Sequence, residues 1–187
     1  TMDNTPTLAP MINLGRKHDD SDDTSAFARD VAEGLKLKQK RLPSRYFYDA
    51  AGSRLFQQIM DLPEYYLTRC EFEVLSKNQQ AMATHFAKGG FFHLIDLGAG
   101  DAMKTKILLR ELTKQHQAYD YIPVDISGDA MQQLTESLQD ELPDLQVEAV
   151  VGEYFKALEW LQQNKSERKV VLFLGSNIGN FEVNESI

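Results

Sequence analysis

The sequence predicts an α/β fold built on a parallel, doubly wound sheet, and three observations carry that prediction. From residue 91 onward, apolar runs of strand length alternate with stretches of helical period. The runs FFHLIDLG, YDYIPVDIS, LQVEAVVGEY and KVVLFLGSNIG are apolar and nearly continuous, the pattern of strands covered on both faces. One helical stretch separates each run from the next, which suits right-handed crossovers between parallel strands with helices on both faces of the sheet.

In chain order, residues 1–24 are polar, acidic and without hydrophobic period, so they are expected to form a flexible leader. From Ser25 the period changes: Phe27, Val31 and Leu35 recur every four residues and predict a helix, weakened slightly by Gly34. Residues 45–86 are aromatic-rich. Leu55, Phe56, Ile59 and Met60 suit a short helix, and Thr68 is placed to cap another that carries Phe72, Leu75 and Met82. Residues 25–88 are therefore expected to be a mostly helical lobe. Its Tyr46, Tyr48, Tyr65 and Tyr66 suit either packing with their hydroxyls at the surface or a ligand-facing wall beside the next domain.

Residues 89–187 hold the sheet domain. Its first helix carries Met103, Ile107, Leu108 and Leu112; its second carries Ala130, Met131, Leu134, Leu138 and Leu142 and ends before Pro143; its third carries Phe155, Leu158 and Leu161. Doubly wound sheets ordinarily continue past a fourth strand, so with about four strands the sheet is expected to be incomplete and truncated at its C-terminal end.

Composition narrows the function classes. The formal net charge is −8 and the basic residues are scattered apart from KLKQKRLPSR at 36–45, which argues against a nucleic-acid surface and for a small-molecule partner. There is no run of 18 apolar residues and no signal-peptide pattern, so no membrane association is expected and the cytoplasm is the expected compartment. Cys70 is the only cysteine, and His18, His85, His93 and His116 show no ligand spacing with it, so neither an intrachain disulfide nor a metal site is expected. The DDSDD run at 19–23 lacks the turn glycine and distal glutamate of a calcium loop.

In doubly wound sheets the ligand sits outside the carboxyl ends of the strands. Those ends are Asp96–Asp101, Asp125–Ser127, Gly152–Tyr154 and Gly175–Asn180. A dinucleotide fingerprint needs a small residue where Met103 stands, and a phosphate-binding P-loop needs a glycine directly before Lys104. Both phosphate readings are therefore disfavoured. What remains is an adenosyl ligand without phosphates, such as S-adenosylmethionine. Gly98 and Gly100 would let the backbone approach it. Asp125 lies where a carboxylate accepts the ribose hydroxyls, Glu153 and Tyr154 can take adenine, and Lys104 can pair with the ligand carboxylate. Against each stands a structural alternative: Asp125 and Glu153 as helix caps, and Lys104 as a solvated surface lysine.

The blocks RYFYDAAGSRLFQQI, LPEYYLTRCE, IDLGAGDAMKT, YIPVDIS and FLGSNIGNF resemble, in order and spacing, the histidine-specific methyltransferase family, over about residues 40–183. The resemblance implies a class I methyltransferase with a Rossmann-like sheet. Such an enzyme uses S-adenosylmethionine to methylate the α-amino nitrogen of histidine, up to the trimethylammonium betaine. Carried over, the family's loop glycine falls on Gly98, its cofactor lysine on Lys104 and its ribose aspartate on Asp125. Its acidic-aromatic pair falls on Glu153 and Tyr154, with Glu153 one methylene longer than the usual aspartate. Its substrate tyrosine falls on Tyr65, with Tyr66 as the register alternative, and its substrate asparagine on Asn180, while Tyr48 would line the same pocket. Further residues that hold the substrate are expected downstream of Ile187. Two other readings stay open: a methyltransferase acting on another amino acid or small amine, and a truncated, non-catalytic domain that binds S-adenosylmethionine.

Overall fold

The computed structural model describes residues 10–15, 20–47 and 50–180. Five parallel strands form one sheet: β1 (Met11–Asn13), β2 (Phe92–Leu97), β3 (Tyr119–Asp125), β4 (Ala149–Val151) and β5 (Lys169–Leu172), in the order β1-β4-β3-β2-β5. Helices α4 (Thr105–Lys114), α5 (Gly128–Glu141) and α6 (Tyr154–Asn164) join β2 to β3, β3 to β4 and β4 to β5. The chain steps outward from β2 through β3 to β4, then crosses back to place β5 on the other flank of β2. The switch point, and with it the ligand crevice of such sheets, therefore lies between the carboxyl ends of β2 and β5.

The sheet has one strand more than expected, and it comes from the segment expected to be a flexible leader. Met11, Ile12 and Asn13 stand opposite Ala149, Val150 and Val151, and the Leu14 amide donates to the Val151 carbonyl at 2.9 Å. Three residues carry too little pattern to be read as a strand, and what holds them is the open edge of β4. Gly152 makes this approach possible, because a Cβ there would lie 3.2 Å from the Leu14 Cβ. Ile12 and Leu14 pack on a cluster of Ile95, Leu97, Ile122, Val124 and Val150, to which α6 adds Ala157 and Leu161.

The opposite face of the sheet buries Phe92, Leu94, Tyr121 and Ala149 against Leu108, Leu109 and Leu112 of α4 and Met131, Leu134 and Leu138 of α5. All six residues of β2 are buried, as befits a central parallel strand. The third predicted helix forms as α6, but Phe155 and Leu158 stay exposed and only Ala157 and Leu161 reach the core.

Between β1 and β2 come α1 (Asp20–Lys36), α2 (Ala50–Met60) and α3 (Leu67–Phe86). Tyr46 is a packing residue: its ring meets Phe27 edge-on at 4.8 Å and its hydroxyl donates to Asp30 Oδ2 at 2.6 Å. The helix predicted from Leu55 and Ile59 forms, yet both side chains remain exposed. Thr68 does not cap α3; Tyr66 holds the cap position, without a side-chain bond, and Thr68 lies in the first turn. Leu75 and Ala83 of α3 enter the same buried cluster as α4, α5 and the sheet. Gly89 and Gly90, both at positive φ, carry the chain from α3 to β2.

Candidate functional site

The site is assembled at the carboxyl end of β2, where the chain turns over β3: the Gly98 and Ala99 amides donate to the Val124 carbonyl at 2.8 and 3.1 Å. Beyond that turn Asp125 fastens the loop. Its Oδ2 accepts from the Gly100 amide at 3.0 Å and its Oδ1 from the Ser127 amide at 3.0 Å. The cap of α5 is Ser127, whose hydroxyl accepts from the Ala130 amide, so Asp125 is not spent on capping that helix. Burial pushes the Asp125 carboxyl above its ordinary value, and the backbone amides of Ser127, Gly100 and Ile126 pull the other way. A carboxylate has about four acceptor positions, so these amides leave it capacity for a further donor.

Gly98 sits at φ +77°, and a Cβ on it would lie 2.5 Å from the Tyr154 hydroxyl and 2.9 Å from the Asn177 side-chain nitrogen. A residue from the start of α6 and one from the turn after β5 therefore converge on the loop glycine. The Tyr154 ring is itself set edge-on to Phe173 at 5.4 Å. Glu153 occupies the cap position of α6 with extended backbone, but its side chain makes no capping hydrogen bond and is exposed. Ala102 and Ser176, in the two loops flanking the crevice, hold φ of +50° and +59°, conformations non-glycine residues seldom adopt outside constrained sites.

Lys104 is not a solvated surface lysine. It stands at the cap position of α4, and its ammonium pairs with the carboxylate of Glu71 from α3, the two side chains only 21% and 25% exposed. The other oxygen of Glu71 accepts from the Gly175 amide at 2.7 Å. Asn177 donates to the Leu174 carbonyl at 2.8 Å, which fixes its amide in the same turn. Met103, which the sequence suggests lies on the first helix, precedes α4 and is exposed, so no close packing of loop and helix of the dinucleotide-binding kind forms here.

Beneath the loop Asp96 is almost fully buried. It accepts hydrogen bonds from Thr105 and Tyr121, and burial raises its carboxyl and the Tyr121 phenol above their usual values.

The structure thus brings Gly98, Gly100, Lys104, Asp125 and Tyr154 to one crevice, with Glu153 next in the chain to Tyr154. Tyr65 lies in the turn before α3, half-buried and edge-on to Phe56 at 5.9 Å; Tyr66 is exposed. Tyr48 lies outside the described residues, and Asn180 is described only as the last backbone position of the helical turn Asn177–Asn180. Glu71 and Asn177 are residues the sequence reading passed over. Both stand inside quoted blocks, but neither has a periodicity or spacing that marks a ligand contact.

Among the described residues no helix is long and apolar enough to cross a membrane, and no group of three or more His, Cys, Asp and Glu side chains is arranged to hold a metal ion.

Residues 27–187 match the family model described as histidine-specific methyltransferase, SAM-dependent. The histidine N-alpha-methyltransferase of Mycolicibacterium smegmatis is 37% identical over 155 residues, which cover 83% of this chain and 47% of that protein. The enzyme of the same name from Mycobacterium tuberculosis is 35% identical with the same coverage. The N-methyltransferase fsqC of Aspergillus fumigatus is 31% identical over 156 residues, 81% of this chain and 42% of that protein. The chain spans about half the length of the curated relatives it matches. With the match extending over most of the chain, and with the glycine loop, its aspartate and its lysine gathered at the switch point, the chain belongs to the family of histidine-specific, S-adenosylmethionine-dependent methyltransferases.

Proposed function

We propose that the whole protein transfers methyl groups from S-adenosylmethionine to the α-amino nitrogen of histidine, up to the betaine, and that the region described here forms its cofactor site. The observation that carries this reading is Asp125, fixed by amides on both sides, partly buried and free of the adjacent helix cap. Such a carboxylate suits two neighbouring hydroxyls, as on a ribose. Gly98 lets Tyr154 and Asn177 close on the loop, Gly100 has nothing within 4 Å of where a Cβ would stand and so suits a ligand that packs against backbone, and the donors present fit an adenosyl group without phosphates.

When bound, the cofactor supplies an electrophilic sulfonium methyl group. The chain's own residues hold and orient. In this reading Gly98 and Gly100 admit the ligand to the backbone, Asp125 takes the ribose hydroxyls, Glu153 and Tyr154 take the adenine, and Lys104 takes the methionyl carboxylate. Tyr48, Tyr65 and Asn180 are assigned to the substrate amino acid. An in-line transfer needs the amine neutral and close to the methyl group, so their task is placement, and aromatic faces favour the cationic methylated product. The division into a helical lobe at 25–88 and a sheet domain from 89, and a cytoplasmic location, belong to the same proposal.

A second reading has its own support: a relative 31% identical is named only as an N-methyltransferase, which leaves room for another amino acid or small amine as acceptor. A methyl-transfer assay of the whole protein against the twenty amino acids and a panel of small amines separates the two. Methylated histidine is the expected product; methylation of another amine without histidine overturns the substrate assignment. If folded protein binds no S-adenosylmethionine in calorimetry, the cofactor reading fails as well.

A further inference from the structure

We infer that Glu71 is a specificity-determining residue of the cofactor site, and that Glu71 and Lys104 together read the ammonium and carboxylate of the methionyl end. This rests on the proposed cofactor site and extends it to a residue from the helical region.

Glu71 lies on α3, 33 residues before Lys104 in the chain and 104 before Gly175, yet its carboxylate touches both. One oxygen faces the Lys104 ammonium. The other is held by the Gly175 amide at 2.7 Å, so the group cannot turn away. A Cβ at position 175 would lie 3.5 Å from the Lys104 nitrogen and 3.6 Å from the Asn177 amide, which places this pair in the crevice between β2 and β5 and not on an outer surface.

The charge arithmetic favours a zwitterion. A lone lysine in a crevice this sheltered would attract the ligand carboxylate but leave the adjacent ammonium without an acceptor, and a sheltered unpaired charge is costly. A fixed carboxylate beside the lysine removes that cost. The ligand's two charges lie against the protein's two in the opposite sense, and the site stays neutral with and without ligand. Glu71 has the capacity, since a carboxylate offers about four acceptor positions and two are in use. The alternative is that Glu71 only ties α3 to the strand ends, and the two roles make different predictions.

The test compares three thioether ligands by calorimetry: S-adenosylhomocysteine, its analogue with the α-ammonium replaced by hydrogen, and 5′-methylthioadenosine, which lacks the amino acid end altogether. Glu71→Gln is expected to weaken S-adenosylhomocysteine about tenfold or more, the loss of one charge-assisted contact, while affinity for the other two changes little. Lys104→Gln is expected to weaken S-adenosylhomocysteine and the deaminated analogue alike and to spare methylthioadenosine. Should Glu71→Gln not fold, Glu71→Asp, which keeps the charge and shortens the reach, gives the same ranking of ligands. Equal loss for all three ligands, or none for any, overturns the inference and leaves Glu71 a structural tie. A wild-type protein that binds none of the three overturns the cofactor site itself.

Discussion

The Tyr121 hydroxyl donates to Asp96 Oδ2 at 2.9 Å across the two central strands, and Thr105 Oγ1 donates to the same oxygen at 2.6 Å. One buried carboxylate thereby joins β2, β3 and the first residue of α4, and sets the floor beneath the glycine loop. Removing either donor leaves a buried acceptor underbonded, so Tyr121→Phe and Thr105→Val are each expected to cost about 1–3 kcal/mol of stability in urea unfolding. Wild-type midpoints for both variants would show that this network carries no weight.

The same carboxylate makes stability depend on pH. Burial raises the Asp96 carboxyl above its unfolded value, so the fold favours the protonated form. The stability this contributes is complete below the unfolded value, about 3.9, and is lost as pH rises through the folded one. Measured against Asp96→Asn, which does not titrate, the wild type should lose relative stability as pH rises through and beyond the usual carboxylate range. A stability difference that stays flat with pH contradicts this.

Asp125→Ala should weaken binding of S-adenosylmethionine by about 1.5–3 kcal/mol, the worth of hydrogen bonds to a charged group. The fold should survive, because the cap of α5 belongs to Ser127. Calorimetry gives the affinity and circular dichroism the fold; unchanged affinity removes Asp125 from the site.

Gly98→Ala combines two penalties. Its φ of +77° is unfavourable for a side chain by about 1–2 kcal/mol, and the added carbon would sit 2.5 Å from the Tyr154 hydroxyl. The expected outcome is a lowered melting temperature together with lost cofactor affinity. Gly100→Ala is the comparison, since nothing lies within 4 Å of a Cβ there, so its loss should be the smaller of the two.

Leu14→Pro removes the amide that bonds to Val151 and should detach the edge strand, at a cost of about 1 kcal/mol or more. Hydrogen exchange at Ala149, whose amide donates to the Pro10 carbonyl at 3.1 Å, reads this directly. Protection unchanged from wild type would mean that β1 does not hold the edge of β4.

Strands β2 to β5 and the helices between them were legible because each buries a face whose period is written locally, as with Leu108 and Leu112 on α4 or Leu134 and Leu138 on α5. The same rule overreached where a periodic stripe stayed uncovered, at Leu55 and Ile59, and it missed β1, whose three residues gain their place only from a neighbouring strand. The site followed the same division. The places of Gly98, Gly100 and Asp125 at strand ends were legible because strand ends can be located from the strands.

The sequence by itself determined the parallel α/β architecture, the family, and which loops would stand at the carboxyl ends of the strands, since these depend on short-range periodicity and on motifs in a fixed order. Tertiary structure alone decided that the presumed leader contributes an edge strand, that Ser127 frees Asp125 from capping, and that Lys104 is turned inward by Glu71. The physical reason is that these outcomes rest on which backbone groups and charges remain unpaired once the sheet has closed. An open strand edge, an uncommitted carboxylate and a sheltered ammonium each find a partner that chain folding brings near, and sequence distance does not encode that meeting.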